Sequence, residues 1–268
     1  MPVSVFDLSK RRRGAVRPSP IFLAFVAMAV AGGVLAWQDD TRGSRLADFG
    51  VFLMVLAGWV VSLCLHEFGH AYAAYRAGDH SVEAAGYLTL NPLKYAHPVL
   101  SIALPLLFIV QGGIGLPGGA VYLHRQAFRS RAMQSVAAAA GPASNVVFAA
   151  VTLYFVHAHL HDGTHVRFWT GLAFFGFLQV TAAVLNLLPI PGLDGWAIIE
   201  PYLDPHTVQG AEMIKPWGMI GVIVMLQIRQ LNNWFFDFVY RIYDVSGVPR
   251  IASEIGHEFF KFWQSQPL

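Results

Sequence analysis

The chain has 268 residues, of which 55% are hydrophobic and only 13% are charged. Soluble domains usually carry about a quarter charged residues, so the composition excludes an ordinary soluble enzyme and predicts a polytopic helical protein of the lipid bilayer. The net charge of +2 gives no reason to expect nucleic-acid binding. A single cysteine, Cys64, excludes an intrachain disulfide.

The first apolar run covers residues 21–37 and follows a basic stretch in residues 1–20. The positive-inside rule predicts that this N-terminus is cytoplasmic. A cleaved signal peptide is an alternative, because small residues lie near Ala36. The length of the run favours an uncleaved first span, since about 20 apolar residues cross a bilayer.

The second apolar segment, residues 49–75, contains the pattern H-E-x-x-H at His66, Glu67 and His70. Positions i and i+4 share one face of a helix, so the two imidazoles can bind one Zn²⁺. The adjacent Glu67 is then placed to act as the general base. Two core histidines with a chance glutamate are the alternative. The apolar setting favours a metal site, because ionisable groups at membrane depth are costly and usually functional.

A third protein ligand is needed for catalytic zinc. The fifth apolar run, residues 168–188, ends in a Pro-x-Pro break that is followed by Asp194. Prolines interrupt a helix, and Asp194 is the outstanding candidate ligand in the apolar part of the chain. An ordinary turn at Leu-Asp-Gly is the alternative.

The metal site also constrains the topology. If residues 98–117 crossed the membrane fully, Asp194 would lie roughly a bilayer thickness of ~30 Å from the histidines. We therefore predict that residues 98–117 are re-entrant and that the fourth run, residues 133–156, leads outwards. A sixth, weaker run covers residues 217–228, and the tail after residue 232 mixes aromatic and charged residues that suit the interface.

Three motifs, taken together, resemble those of the site-2 protease family of intramembrane zinc metalloproteases, over residues 51–195. They are His66-Glu-Phe-Gly-His70, Gly141-Pro-Ala-Ser-Asn145 and Asn186-Leu-Leu-Pro189-Ile-Pro-Gly-Leu-Asp194-Gly195. Larger members carry a PDZ domain between the second and third motifs, where this chain has a short loop, and others carry a C-terminal CBS pair. The resemblance therefore points to a compact form without either domain.

The resemblance implies one zinc ion held by His66, His70 and Asp194, with Glu67 as the base. It implies a membrane-embedded β-structure at residues 86–90. It also implies that Asn186 and Pro189 help to hold an unwound substrate. The expected substrates are single-span membrane proteins, such as anti-sigma factors or transcription-factor precursors, in a bacterial cell membrane.

Asn145 belongs to the second motif, and two interpretations of it remain open. It can contact substrate or neighbours of the zinc site, or it can satisfy helix packing beside the small residues Gly141, Ala143 and Ser144. A buried asparagine needs a hydrogen-bond partner in either case.

The sequence thus predicts an all-α polytopic membrane protein with five to six transmembrane helices. Its predicted parts are a basic N-terminus at 1–20, a protease domain at 21–230 and an amphipathic tail at 231–268. A transporter or a non-cleaving membrane-protein binder with a zinc site is the alternative function, and the oligomeric state stays open. Four histidines at 157, 159, 161 and 165 form either a wet polar loop or a second metal site.

Overall fold

The computed structural model describes residues 16–38, 44–95, 124 and 127–264, and these residues form eleven α-helices with no strand among them. The helices are α1 (Pro20–Gln38), α2 (Arg45–Ala77), α3 (Ser81–Ala84), α4 (Pro92–Tyr95), α5 (Arg131–His159), α6 (Val166–Asn186), α7 (Asp194–Ile199), α8 (Pro205–Ile214), α9 (Gly218–Gln227), α10 (Arg229–Asp244) and α11 (Arg250–Phe260). Short 3-10 helices cover Tyr87–Thr89, Leu160–Asp162, Glu200–Tyr202 and Lys215–Trp217.

Four of the described helices, α1, α2, α5 and α6, are long and apolar enough to cross a membrane, so the chain is a multi-pass membrane protein. They alternate in direction. Ser19, just before α1, donates its backbone N–H to Thr89, beyond the end of α2. At the opposite end, Trp37 of α1 stacks on His165, which precedes α6. We call these the His66 end, where α2 and α6 finish, and the His165 end.

The described residues on either side of the segment between α2 and α5 meet at the His66 end. The backbone N–H of Arg129 bonds to the carbonyl of Ala77, 3.3 Å away, and the N–H of His124 bonds to Asp79 Oδ2 at 2.8 Å. The re-entrant path between them stays a prediction. The path of residues 98–117 lies outside the described residues.

Helix α6 occupies the centre of the bundle, because 89% of its most apolar 18-residue stretch is buried. Phe174, Phe177 and Leu178 contribute to a continuous core with α2 and α5. The tail joins the same core, because Tyr240 of α10 stacks on Phe177 with ring centroids 4.9 Å apart. Each of the two tail helices thus packs an apolar face on the bundle.

The expectation of a β-structure at residues 86–90 is wrong. Tyr87–Thr89 is a 3-10 turn between Gly86 and Leu90, whose φ angles are +79° and +54°. A strand needs extended φ angles, whereas here the Thr89 hydroxyl also bonds to the carbonyl of Gly86 at 2.6 Å. The β-prone side chains of this stretch are overridden by a local turn.

The sixth apolar run also differs from a full span. Lys215–Trp217 forms a 3-10 turn, and α9 is only 10 residues long. Such a helix is about 15 Å long, half the hydrocarbon thickness of about 30 Å. This run therefore does not cross a bilayer by itself.

Candidate metal centre

The two motif histidines lie in the second half of α2 and face the same point. The Nε2 atoms of His66 and His70 are 3.1 Å apart. Both side chains are buried, and so is that of Glu67 between them. The predicted i, i+4 face is confirmed, because an unbroken helix carries all three residues.

Asp194 reaches this point from a distant part of the chain. Its Oδ2 lies 3.2 Å from His66 Nε2, and its Oδ1 lies 3.3 Å from His70 Nε2. Asp194 begins α7, which folds back on the end of α6. Gly195 makes this reversal possible, because a Cβ at this position would overlap the carbonyl of Leu187.

The three donor groups fit a zinc ion. Their ligand atoms lie within 4.8 Å of one another. In a tetrahedral site with bonds of about 2.0–2.1 Å, neighbouring ligand atoms are roughly 3.3 Å apart. The two Nε2 atoms are 3.1 Å apart, and each has one of the two Asp194 oxygens within 3.2 or 3.3 Å. Two imidazoles and one carboxylate also leave a fourth position open, as catalytic zinc sites do. The structure shows no second group of this kind among the described residues.

The other nitrogen of each imidazole is held by α5. His70 Nδ1 lies 2.8 Å from the carbonyl of Ala137, and His66 Nδ1 lies 2.6 Å from Asn145 Oδ1. A carbonyl only accepts, so Nδ1 of His70 carries the proton and Nε2 presents its lone pair. Metal-binding histidines usually donate their other N–H in this way.

Gly141 of α5 lies directly against the two imidazoles. A Cβ at this position would overlap Nε2 of His70 and would lie 2.6 Å from Nε2 of His66. The absent side chain therefore leaves the space in which a metal would sit. This role of Gly141 was not predicted, because small residues in apolar helices commonly serve packing.

Asn145 is buried and bonds to an imidazole of the metal centre. It is 4% exposed, and its amide bonds to His66 on one side and to Gln179 Oε1 at 2.8 Å on the other. The predicted contact with zinc-site neighbours is thus present. Both ends of the amide are thus engaged inside the bundle, and substrate binding by Asn145 stays a prediction.

Asn186 and Pro189 lie at the other side of the centre, where α6 ends. Asn186 is 6% exposed, and its side chain makes no hydrogen bond to any residue in the described part of the chain. Pro189 is exposed in the turn that leads to α7. Asn186 is the last residue of α6, so its side chain lies beside the turn that leads to Asp194.

Ser135 was not recognised from the sequence. Its hydroxyl donates to the carbonyl of Ile198 at 2.6 Å and ties the end of α7 to α5. Cys64 has the packing role expected from its position on α2, since it is 1% exposed and lies against Phe22 and Leu90.

The histidines at the His165 end do not form a metal group. His159 stacks on Trp169 with ring centroids 4.8 Å apart, and His165 stacks on Trp37 at 3.6 Å. None of the four histidines in this region belongs to a cluster of three potential ligands in the described residues. The polar-loop interpretation is favoured, with aromatic stacking as its physical basis.

Three curated relatives are similar to this chain. The proteins named "Putative zinc metalloprotease Rip2" of Mycolicibacterium smegmatis and Mycobacterium tuberculosis H37Rv are 52% and 48% identical, over 94% of this chain and 97% and 96% of their own lengths. "Putative zinc metalloprotease YwhC" of Bacillus subtilis is 33% identical over 65% of this chain and 80% of its own length. No family model and no solved structure matches the chain.

The metal-ligand geometry and these similarities define a zinc metalloprotease that uses Zn²⁺ as its cofactor. Within that class, the chain belongs to the site-2 protease family together with its Rip2 and YwhC relatives.

Proposed function

We propose that this metalloprotease cleaves peptide bonds within or near the transmembrane segments of other membrane proteins. The observation that carries the proposal is the depth of the metal centre. Phe22, in the first turn of α1, packs beside Cys64 of α2, so His66 is level with the beginning of α1. The 19 residues of α1 span about 28 Å, close to the hydrocarbon thickness of about 30 Å. The centre therefore lies near the edge of the hydrocarbon layer, enclosed by helices.

We assign His66, His70 and Asp194 as the zinc ligands. Zinc at this position would polarise the scissile carbonyl and lower the pKa of a bound water. Glu67 follows a ligand directly on α2 and is buried beside the centre. It takes a proton from the attacking water as the new C–O bond forms, and then gives that proton to the leaving amine as the C–N bond breaks.

A helical substrate must unwind before it can be cut, because its carbonyls are occupied in i to i−4 hydrogen bonds. The amide of Asn186 can bond to the main chain of such an unwound segment. Pro189 keeps the neighbouring turn from continuing α6 as a helix. We therefore assign both residues to substrate binding.

The distribution of charge supports a cytoplasmic location for the centre. Arg17, Arg129 and Arg131 all lie at the His66 end of the bundle, next to α1, α2 and α5. By the positive-inside rule this end faces the cytoplasm. The expected substrates are single-span proteins of a bacterial cell membrane, such as anti-sigma factors or transcription-factor precursors.

The test compares membrane-protein fragments from cells that carry the wild type, Glu67→Gln or Glu83→Gln. Glu83 is a matched control, because it lies on α3 outside the metal group. We expect Glu67→Gln to lose the fragments and accumulate intact substrates while it keeps bound zinc. Glu83→Gln should match the wild type.

The cut sites decide the finer part of the proposal. Fragments that end within or beside a transmembrane segment support it. Fragments that end in soluble domains, or fragments that persist in the zinc-loaded Glu67→Gln variant, would overturn it.

A further inference from the structure

A chain of buried hydrogen bonds leads away from the His66 imidazole through three helices. His66 Nδ1 lies 2.6 Å from Asn145 Oδ1, and Asn145 Nδ2 donates to Gln179 Oε1 at 2.8 Å. Gln179 Nε2 donates to Ser62 Oγ at 2.9 Å, and Ser62 Oγ donates to the carbonyl of Trp59 at 2.9 Å. The chain starts and ends on α2, and it passes through α6 and α5.

The carbonyl of Trp59, the last acceptor, sets the donor and acceptor of every hydrogen bond in this series. The Trp59 carbonyl has no proton, so the Ser62 hydroxyl must donate to it and accept from the Gln179 amide nitrogen. Gln179 then turns its oxygen to Asn145, which must donate with its nitrogen. The Asn145 oxygen is left for His66, so the proton of that imidazole lies on Nδ1.

This order places the lone pair of His66 on Nε2, the atom that faces Asp194 and His70. If the Asn145 amide turned over, its nitrogen would face His66 and the imidazole proton would move to Nε2. That tautomer cannot bind a metal through Nε2. Nδ1 of His70 needs no such chain, because it meets a backbone carbonyl directly.

Water has little access to replace any link of the chain. Gln179 is fully buried, and Ser62, Asn145 and His66 are 1%, 4% and 5% exposed. Without Gln179, the Asn145 amide would lose the acceptor that fixes its orientation. Buried polar groups left unpaired are costly, so the amide would then turn towards whichever partner remained.

We propose that Gln179 is a positioning residue for zinc binding. It acts through Asn145 to hold His66 in the tautomer that can ligate the metal, and Ser62 fixes the orientation of the Gln179 amide. This inference rests on the proposed role of His66 as a zinc ligand.

The test measures zinc affinity of the purified, full-length protein by competition with a chelator. Gln179→Met keeps the length of the side chain but has no amide. We expect its zinc dissociation constant to rise about 10- to 100-fold, the usual effect of losing an outer-shell partner. Thr181→Val is the matched control, because the hydroxyl of this buried α6 residue bonds to the carbonyl of Phe177 in its own helix. It should change the constant less than about 3-fold.

The same substitution in an Asn145→Asp background separates orientation from general packing. An aspartate presents an oxygen to His66 whichever way it turns, so Gln179 is no longer needed to set the tautomer. We expect Gln179→Met to cause no further loss of zinc affinity in this background. Equal losses in both backgrounds would show a merely structural role and would overturn the inference.

The outcomes also distinguish this inference from the proposed function. If the wild type binds zinc and Gln179→Met binds it equally well, the role of Gln179 is wrong while the zinc ligands stand. If His66→Ala binds zinc as tightly as the wild type, the ligand assignment itself fails. Unfolding of the metal-free proteins serves as the folding control, and Gln179→Met should still unfold cooperatively, at a lower midpoint than Thr181→Val because Asn145 and Ser62 lose a partner.

Discussion

The two ends of the bundle both carry histidines beside other polar groups, but only one end forms a metal centre. At the His66 end, the Nε2 atoms of two histidines are 3.1 Å apart. At the His165 end, His159 and His165 lie flat against tryptophan rings. A count of histidines does not separate the ends, because the His66 end also has four in the described residues, namely His66, His70, His80 and His124.

A hydrogen bond that fixes one ring nitrogen does not by itself distinguish the two ends. Nδ1 of His159 and His165 also bonds to backbone carbonyls, at 2.9 and 2.7 Å. Fixing the ring is therefore not sufficient for a metal site. What the His66 end adds is convergence, since Asp194 arrives from another segment and Gly141 leaves space between the rings.

Removing a proposed zinc ligand should have the largest effect and tests the difference between the two ends most strongly. We expect His70→Ala to lose bound zinc, because two donors rarely hold the ion. His157→Ala, at the opposite end, should keep one zinc per chain. Metal analysis of the purified variants measures both. Equal zinc contents in the two variants would contradict the assignment of the ends.

Filling the space at Gly141 should act almost as strongly. Gly141→Ala places a methyl group against both imidazoles, so we expect zinc binding and proteolysis to be lost while the helices remain folded. Gly210→Ala is the control, because a Cβ there meets no atom within 4 Å. Normal zinc content in Gly141→Ala would show that the metal does not lie between these rings.

The His165 end should respond in stability and not in metal binding. Arg167 and Asp48 form a buried ion pair at 2.8 Å, with side chains 8% and 6% exposed. Leaving one buried charge unpaired typically costs about 3–5 kcal/mol, so Arg167→Met should lower the thermal unfolding midpoint markedly.

The double variant Arg167→Met with Asp48→Leu should recover much of this loss, because it leaves no charge unpaired. The zinc affinity of the folded protein should stay unchanged throughout. A single variant that loses zinc without losing stability would contradict the separation of the two ends.

The smallest effect is expected from the stacked histidines. His159→Ala removes the ring contact with Trp169, and aromatic pairs contribute about 0.5–1.5 kcal/mol. We expect a loss of stability in that range in equilibrium unfolding, with zinc content and cleavage rate unchanged. Loss of zinc from this variant would instead support a second metal site at these histidines.

The sequence predicted the proposed metal ligands and base better than the residues that position them. His66, Glu67 and His70 follow a local pattern on one helix, and Asp194 stands out as a carboxylate beside a proline break. These residues are unusual in an apolar chain, which is why they can be found without a structure.

The supporting residues carry no such signal. Gln179, Ser62 and Ser135 act through partners on other helices, and nothing in their local sequence identifies those partners. The family resemblance implied a β-structure at residues 86–90, whereas the left-handed backbone at Gly86 and Leu90 closes a turn. Tertiary context overrides local propensity in such cases.

The central claim is that His66, His70 and Asp194 converge on one zinc ion. X-ray absorption at the zinc edge tests it most directly, with wild type and Asp194→Ala compared. The account predicts two imidazole nitrogens and one carboxylate oxygen at about 2.0–2.2 Å in the wild type, with the carboxylate lost in the variant. A sulfur ligand, or a spectrum that Asp194→Ala leaves unchanged, would contradict it.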